Sequence, residues 1–140
     1  MANRNVRVVN NNGSKPNVKY FPKTASTALD RNSLVELTSG TLGAADDNET
    51  IVLGVLLKEI ASTDSDYAST TKVPVEVLRG TDEVEIDTTA ALTVGTSYGI
   101  SNAYTVDQAD TTNDVFTCTV AISATRARGF LKGIAGGNTV

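Results

Sequence analysis

The chain contains no histidine, no tryptophan and a single cysteine, Cys118. The lack of histidine removes the commonest general base and the commonest metal ligand of proteins. One cysteine cannot form a disulfide within the chain. Cys118 lies in the alternating segment 116–120, without a basic neighbour in sequence to lower the pKa of its thiol. We therefore predict that this thiol is buried and inert.

The chain also lacks the motifs that carry catalysis or phosphate binding. No G-x-x-x-x-G-K sequence is present, and the serine in Gly95–Gly99 does not have the G-x-S-x-G spacing of a nucleophile elbow. Aromatic residues make up only 5% of the chain and do not alternate with bases as in an RNA-binding sheet. We expect the protein not to be an enzyme and to need no cofactor.

Acidic residues cluster in three places, at 46–49, 64–66 and 82–83. The second cluster resembles the start of a calcium loop but lacks the glycine and the closing glutamate of an EF-hand. We interpret all three clusters as solvated loops and predict no metal site. Three further carboxylates have the alternate spacing of an exposed strand face rather than of a catalytic pair, namely Glu76, Glu85 and Asp87.

Length and hydropathy indicate one domain of the soluble type. The chain has 140 residues, enough for a core without metals or disulfides, and 20 of them are threonines, which favour strands. No apolar run is long enough for a transmembrane helix, and residues 1–15 lack the apolar centre of a signal peptide. We expect a protein made in the cytoplasm that has no membrane partner.

Charge is distributed unevenly along the chain. Residues 1–23 carry five bases and no acid, whereas residues 24–114 carry all 16 acids and four bases. Residues 115–140 carry three more bases. Because binding to phosphates requires a basic face, the acidic body argues against nucleic acid as a partner.

The segment 71–87 contains two alternating runs, 73–77 and 83–87, with turn-forming residues 79–82 between them. Alternation of β-branched and polar residues is typical of half-buried antiparallel strands and predicts a hairpin. Pro74 has no N–H, which favours an edge strand or pairing on one side at that point. Acidic side chains between the apolar ones are expected to point into water: Glu76, Glu83 and Glu85.

Similar patterns recur through the chain and predict about eight to ten short strands in one closed β-domain. The run 51–57 is the most apolar segment. Gly54 and the β-branched residues favour a strand buried on both faces, or bulged at Gly54, over a helix. A final strand pair is predicted over 114–123 and 125–134. Period-two spacing predicts a set of buried side chains: Val73, Val75, Val77, Val84, Ile86, Phe116, Cys118 and Val120.

The first 16 residues have the composition of an arm before a β-domain at 17–134 and a loose tail at 135–140. A short β-capable stretch, 4–9, is followed by the polar hinge Asn10–Gly13. Two interpretations remain open: a docking arm that pairs with another protein, or the first strand of the barrel. If it is an arm, the predicted partner-binding residues are Arg4, Val6, Arg7, Val8 and Val9.

The order of these features resembles the decoration, or cement, proteins and small head proteins of tailed-phage capsids. The resemblance rests on a basic polar leading segment, on Val73–Val77 followed by 82–87, on Val94–Ile100, and on the closing strand Ala127–Leu131. It covers most of residues 17–134 and is one of style and order.

The resemblance implies a compact β-barrel or β-sandwich with an extended N-terminal arm. It also implies a structural virion protein that stabilises the outer capsid surface by bridging major capsid protein subunits. Such proteins are often trimeric and bind at threefold or pseudo-threefold points. The alternative is a β-structured module of a phage tail or head fibre, or another surface-binding structural protein.

Overall fold

The computed structural model describes residues 6–47 and 49–132, which form β-strands and no helix. The predicted all-β class is therefore confirmed. Among these residues there is no helix that is long and apolar enough to cross a membrane. The strands, in chain order, are β1 (Arg7–Asn10), β2 (Val18–Pro22), β3 (Leu34–Thr38), β4 (Thr41–Ala44), β5 (Gly54–Leu56), β6 (Lys72–Val77), β7 (Glu83–Thr88), β8 (Ser97–Asn102), β9 (Thr105–Asp107), β10 (Phe116–Ser123) and β11 (Arg126–Leu131).

Five strands close into a small barrel in the order β7-β11-β10-β8-β9, because β9 also pairs with β7. That closing pair is parallel, with Asp87 opposite Thr105, and the other pairs of the barrel are antiparallel. β1 pairs antiparallel with the first half of β7, with Arg7 opposite Glu85. β11 occupies the opposite edge of β7, so β1 and β9 share one edge and β1 extends the barrel wall.

A second sheet contains the remaining strands in the order β2-β6-β5-β3-β4. All its neighbouring strands are antiparallel. A single parallel bridge between Lys23 and Leu42 joins the end of β2 to β4, so the two outer strands of this sheet also meet. The Thr24 hydroxyl reinforces the junction by donating to the Leu42 carbonyl oxygen at 2.7 Å.

The core consists of two apolar clusters that meet at β3 and β5. Leu34 and Val55 belong to the cluster that fills the barrel, whereas their sequence neighbours Val35 and Leu56 belong to the cluster inside the second sheet. Successive side chains of a strand point to opposite faces. These two strands therefore form the wall between the cores, which explains why the run 51–57 is apolar without interruption.

Gly54 begins β5 at a point where β6 approaches its backbone closely. A Cβ atom at this position would lie 2.1 Å from the Glu76 carbonyl oxygen of β6. The residues around it, from Val52 to Leu56, are all buried. The prediction of a strand buried on both faces is confirmed, and glycine at position 54 is required by the close approach of β6.

The predicted hairpin of 73–77 with 83–87 is wrong. Both segments are strands, but β6 pairs with β2 and β5, whereas β7 pairs with β1, β9 and β11. The turn between them carries the chain from the second sheet to the barrel. Alternation shows that a strand buries one face, and it does not show which strand is the neighbour. Pro74 lies opposite Tyr20 of β2 but just beyond the end of β5, whose last residue is opposite Val75. On the β5 side its carbonyl oxygen accepts only from the Leu57 N–H, so the ladder is one-sided at Pro74, as predicted.

The predicted buried residues are buried except Val120, which is 44% exposed. A register shift between Cys118 and Val120 inserts a β-bulge into the pairing of β10 with β11. A bulge adds one residue to one strand and so moves the following side chains to the other face. The final strand pair itself is confirmed. The turn that joins β8 to β9 lies at Ala103 and Tyr104.

Candidate interaction surfaces

The N-terminal segment lies against the barrel over the described residues 6–10. Val6 is fully buried in the barrel core, and its backbone N–H donates to the Asn32 carbonyl oxygen at 3.1 Å. Val8 packs against the same core opposite Val84. The assignment of Val6 to a free docking arm is therefore wrong, because it already fills a site in its own core.

The other predicted arm residues have different surroundings. Arg4 lies outside the described residues, as does the predicted tail at 135–140. Arg7 is exposed over 62% of its side chain, and Val9 is half-buried. Residues 6–10 occupy the position that the alternative interpretation gave them, beside a barrel strand. Partner binding by Arg7 and Val9 stays a prediction.

An ion-pair network covers the outer face of the barrel around Glu85. The Nε atoms of Arg126 and Arg128 each lie 2.9 Å from a Glu85 carboxylate oxygen, and Arg7 Nη2 lies 3.2 Å away. Arg126 also contacts Asp87 at 2.7 Å. The pairing of β7 with both β1 and β11 places these groups side by side. The network thus joins the N-terminal strand to the rest of the barrel.

The pKa of Glu85 is lowered to about 2, chiefly by hydrogen bonds from Arg126. Burial opposes this change, and bonds from Arg128 and the charge of Arg7 add to it. The expectation that Glu85 points into water is therefore wrong, since this carboxylate is buried among arginines. Glu83, on the same strand face, is half-buried and accepts a hydrogen bond from the Thr119 hydroxyl.

A second buried carboxylate, Asp82, fixes the connection between the two sheets. Its oxygens accept bonds from the Arg79 backbone at 2.9 Å and the Arg79 guanidinium at 3.0 Å, and from Asn11 at 3.2 Å. Burial alone would raise the pKa of Asp82, but the bonds from Arg79 and Asn11 lower it below its ordinary value. The interpretation of Asp82 as a solvated loop acid is wrong. Its role is to hold a turn, and Arg79 extends the contact to the Lys15 carbonyl oxygen.

Lys23 is the largest fully buried side chain among the described residues. Its Nζ donates to the carbonyl oxygens of Tyr67 at 3.0 Å and Ser69 at 2.7 Å, and its backbone N–H donates to the Thr71 carbonyl oxygen. The polar segment 61–71 is thereby fastened to the junction of β2 and β4. Lys23 is one of the five bases of residues 1–23, but its burial means that its charge is not presented on the surface.

Acids of the other loops bind their own backbone. Asp64 accepts from the Ala61 N–H at 2.9 Å, and Asp110 accepts from the N–H groups of Thr112 and Asn113. These backbone bonds lower the pKa of Asp110. Within the two described ranges, no three histidine, cysteine or acidic side chains are grouped as a metal site would require.

Two apolar side chains stand out on the second sheet. Tyr20 is 63% exposed and Val18 is 43% exposed, and both lie on the outer face of β2. Across the strand pair, Tyr20 is opposite Pro74, and Pro22 is opposite Lys72. We call the surface formed by these five residues the β2 face. Exposed aromatic and apolar groups beside a cation are typical of protein-binding surfaces.

A pocket of about 220 Å³ lies beside β3, and none of its lining residues belongs to the β2 face. Its lining includes Glu36, Glu49, Leu37 and Ile51. One Glu49 oxygen is buried and has no hydrogen-bond partner among the described residues. Two like-charged carboxylates and two aliphatic side chains provide no set of groups that would orient a small ligand.

The sequence contains a signal for the ion-pair network but none for Lys23. Acids alternate over 83–87 and arginines alternate over 126–128, so opposite charges would meet if the pairing of β7 with β11 were known. A single lysine after Pro22 has no feature that distinguishes a buried cation from an exposed one.

Comparison with known proteins adds no family assignment: no protein-family model matches this chain, and no curated protein matches it.

Proposed function

We propose that this protein is a structural component of a tailed-phage virion that binds the outer capsid surface and bridges major capsid protein subunits. It would be made in the host cytoplasm and added to the shell as a homo-oligomer, a trimer when bound. The proposal combines the resemblance of the sequence with one structural observation, the β2 face. No catalytic step, cofactor, nucleic acid or membrane is part of this function.

The β2 face carries the proposal because no contact among the described residues accounts for its exposure. Tyr20 could be any polar residue if β2 only had to pair with β6, yet an aromatic ring is exposed there to 63%. Tyrosine supplies a large contact area at a low cost in conformational entropy. Lys72 opposite Pro22 adds a cation at one end of the face, and Glu76 opposite Val18 adds an acid at the other, so a partner would present charges of both signs.

Rigidity of the body supports the same role. A protein that stabilises a shell transmits force between subunits, so its contact surfaces have to keep a fixed spacing. The arginines around Glu85 tie β1, β7 and β11 together, and Asp82 fixes the turn that leads from the second sheet to β7. These bonds connect the N-terminal strand and the second sheet to one framework.

The direct test is binding to capsids of the phage that encodes the chain, prepared without this protein. Wild-type protein and a Val18→Ser/Tyr20→Ser variant are mixed with the particles, and bound protein is measured after sedimentation. We expect the wild type to sediment with capsids. We expect the variant to lose at least about tenfold in affinity, as two interface anchors are removed.

A matched control replaces two side chains of similar exposure elsewhere, Leu37→Ser/Ile51→Ser. This variant is expected to bind like the wild type. Equal binding by all three proteins would reject the β2 face as the contact. Failure of the wild type to bind heads, with binding to tails or fibres instead, would replace the proposal with the alternative function.

A further inference from the structure

The second half of β10 has an open edge. β8 pairs with β10 only at Phe116 and Thr117, and the last bonds on that side join the Cys118 backbone to Gly95 and Thr96, at 2.8 and 3.1 Å. Beyond this point, no described residue pairs with the outer side of segment 119–123. Its opposite side is paired with β11. An unpaired strand edge is a template for another strand.

This edge lacks the charges and the prolines that normally prevent pairing. Val120 and Ile122 are 44% and 47% exposed, and Ala121 and Ser123 are exposed as well. No charged residue and no proline occurs between Asp114 and Arg126. Natural edge strands are usually protected by lysines, prolines, bulges or a cover. β10 has two bulges in its pairing with β11: one between Cys118 and Val120, which turns Val120 outward, and one between Ala121 and Ser123, inside the open part of the strand.

We infer that two copies of the free protein pair antiparallel through segment 119–123 around a twofold axis at Ala121. In this register Val120 of one copy lies opposite Ile122 of the other, and Thr119 lies opposite Ser123. Each pair is matched in size and chemistry: β-branched with β-branched, hydroxyl with hydroxyl. Because a twofold interface pairs one surface with itself, its residues have to be complementary to one another. Segment 119–123 meets this requirement.

Charge supports a second copy as the occupant. The nearest charged groups on the neighbouring strand are Arg126 and Arg128, and both are already bound to Glu85 of their own chain. Across the axis only uncharged side chains meet, so pairing brings no like charges together. The outcome is one sheet that runs through both barrels in the order β7-β11-β10-β10-β11-β7.

The interface is small, a five-residue strand pair with four exposed apolar side chains from Val120 and Ile122 of both copies. Interfaces of this size belong to the weak class, so we expect a dissociation constant on the order of tens of micromolar. The pair concerns the free protein, whereas the proposed trimer concerns protein bound to a shell. The two proposals therefore fail independently.

The test is sedimentation equilibrium of the full chain over a range of concentrations. The wild type is expected to shift from 14.6 kDa towards twice that mass as concentration rises. A Val120→Lys/Ile122→Lys variant is expected to stay at the mass of one chain, because it places four like charges along the axis. Thermal melting of each variant confirms that the exposed substitutions leave the fold intact.

Two controls make the test specific. Leu37→Lys/Ile51→Lys has the same charge change at sites of similar exposure and is expected to dimerise like the wild type. A Val120→Glu/Ile122→Glu variant mixed with the lysine variant is expected to restore the dimer through opposite charges. A wild type that remains at 14.6 kDa at every concentration, forms trimers, or associates equally well after the lysine substitutions would overturn the inference.

Discussion

The barrel and the second sheet each hold a buried charged side chain, Glu85 and Lys23, and these two are neutralised in different ways. Glu85 on the barrel is surrounded by three arginines, two of them within 2.9 Å. Lys23 in the second sheet donates from its Nζ to the carbonyl oxygens of Tyr67 and Ser69. The outer wall of the barrel is therefore held by ion pairs between arginines and Glu85. In the second sheet, segment 61–71 is held by hydrogen bonds from the charged Lys23 side chain to neutral backbone carbonyl groups.

The difference separates two kinds of dependence on conditions. Ion pairs that include a carboxylate are lost when the carboxylate is protonated, and they weaken as salt rises. The carbonyl partners of Lys23 do not titrate. Acid should therefore loosen the barrel wall around Glu85 while it leaves the junction of β2, β4 and segment 61–71 in place.

The largest expected effect on stability comes from deletion of residues 1–10, which removes part of the barrel wall around Glu85. The deletion removes the buried Val6, the strand β1 and the Arg7 contact with Glu85. We expect the free energy of unfolding to fall by about 3–5 kcal/mol, which is much of the stability of a small domain. Urea unfolding measures it. A decrease below about 1 kcal/mol would show that the segment is an arm that the barrel does not need.

The next largest effect is expected for Glu85→Gln, which removes the charge and keeps the shape. Charged hydrogen bonds to arginines are lost, and we expect a decrease of about 2–3 kcal/mol at pH 7. Asp87→Asn is the graded control: it removes one half-exposed ion pair and should cost less than about 1 kcal/mol.

The stability difference between the wild type and Glu85→Gln is expected to depend on pH. The pKa of Glu85 lies near 2 in the folded chain, below its ordinary value of 4.5, so its contribution is complete above pH 4.5. That contribution declines as pH falls towards 2, because the unfolded chain takes up the proton first. The stability difference between wild type and Glu85→Gln should therefore shrink over this window. A difference that is constant from pH 7 to pH 3 would contradict the arginine network as its source.

A smaller effect is expected for Lys23→Met, which tests the second sheet. The carbonyl groups of Tyr67 and Ser69 lose their donor while the buried volume stays filled, so we expect a loss of about 1–2 kcal/mol. Hydrogen exchange should become faster in segment 61–71 and remain unchanged in β7. Lys58→Met, at an exposed position, is the control. A loss that varies with pH in the acid range like that of Glu85→Gln would remove the distinction between the two sites.

The smallest effect is expected at Val120, just past the bulge of β10. Val120→Ser removes an exposed side chain and should change stability by less than about 0.5 kcal/mol, whereas Cys118→Ser places a hydroxyl in the barrel core and should cost more. Similar costs for Val120→Ser and Cys118→Ser would place Val120 in the core.

Burial also raises the pKa of the Cys118 thiol. Labelling of Cys118 by a thiol reagent should therefore be far slower in the folded chain than in urea.

The sequence predicts burial better than it predicts neighbours. Period-two spacing identifies β6, β7 and β11 as strands with one buried face, yet it does not indicate that β6 and β7 belong to different sheets. Those partners depend on long-range pairing, which a short pattern does not encode. A bulge leaves no mark in the sequence either, so the reversal at Val120 could not be predicted.

The candidate surfaces show the same division. Arg7 and the acids of 83–87 are recognisable as charged positions, but only the register of β1, β7 and β11 reveals that they neutralise one another. The exposure of Tyr20 is equally hidden, because aromatic residues in strands are usually buried. It follows from the position of β2 at the end of the second sheet, where one face has no layer above it.

The proposed virion role is tested most directly by an electron cryomicroscopy reconstruction of the virion to which that proposal assigns this chain. We predict density for the double-sheet body on the outer capsid surface, bridging neighbouring major capsid subunits with Val18, Tyr20 and Lys72 at the contact. Density for the body on the tail or on a fibre, or a head surface without it, would contradict the account.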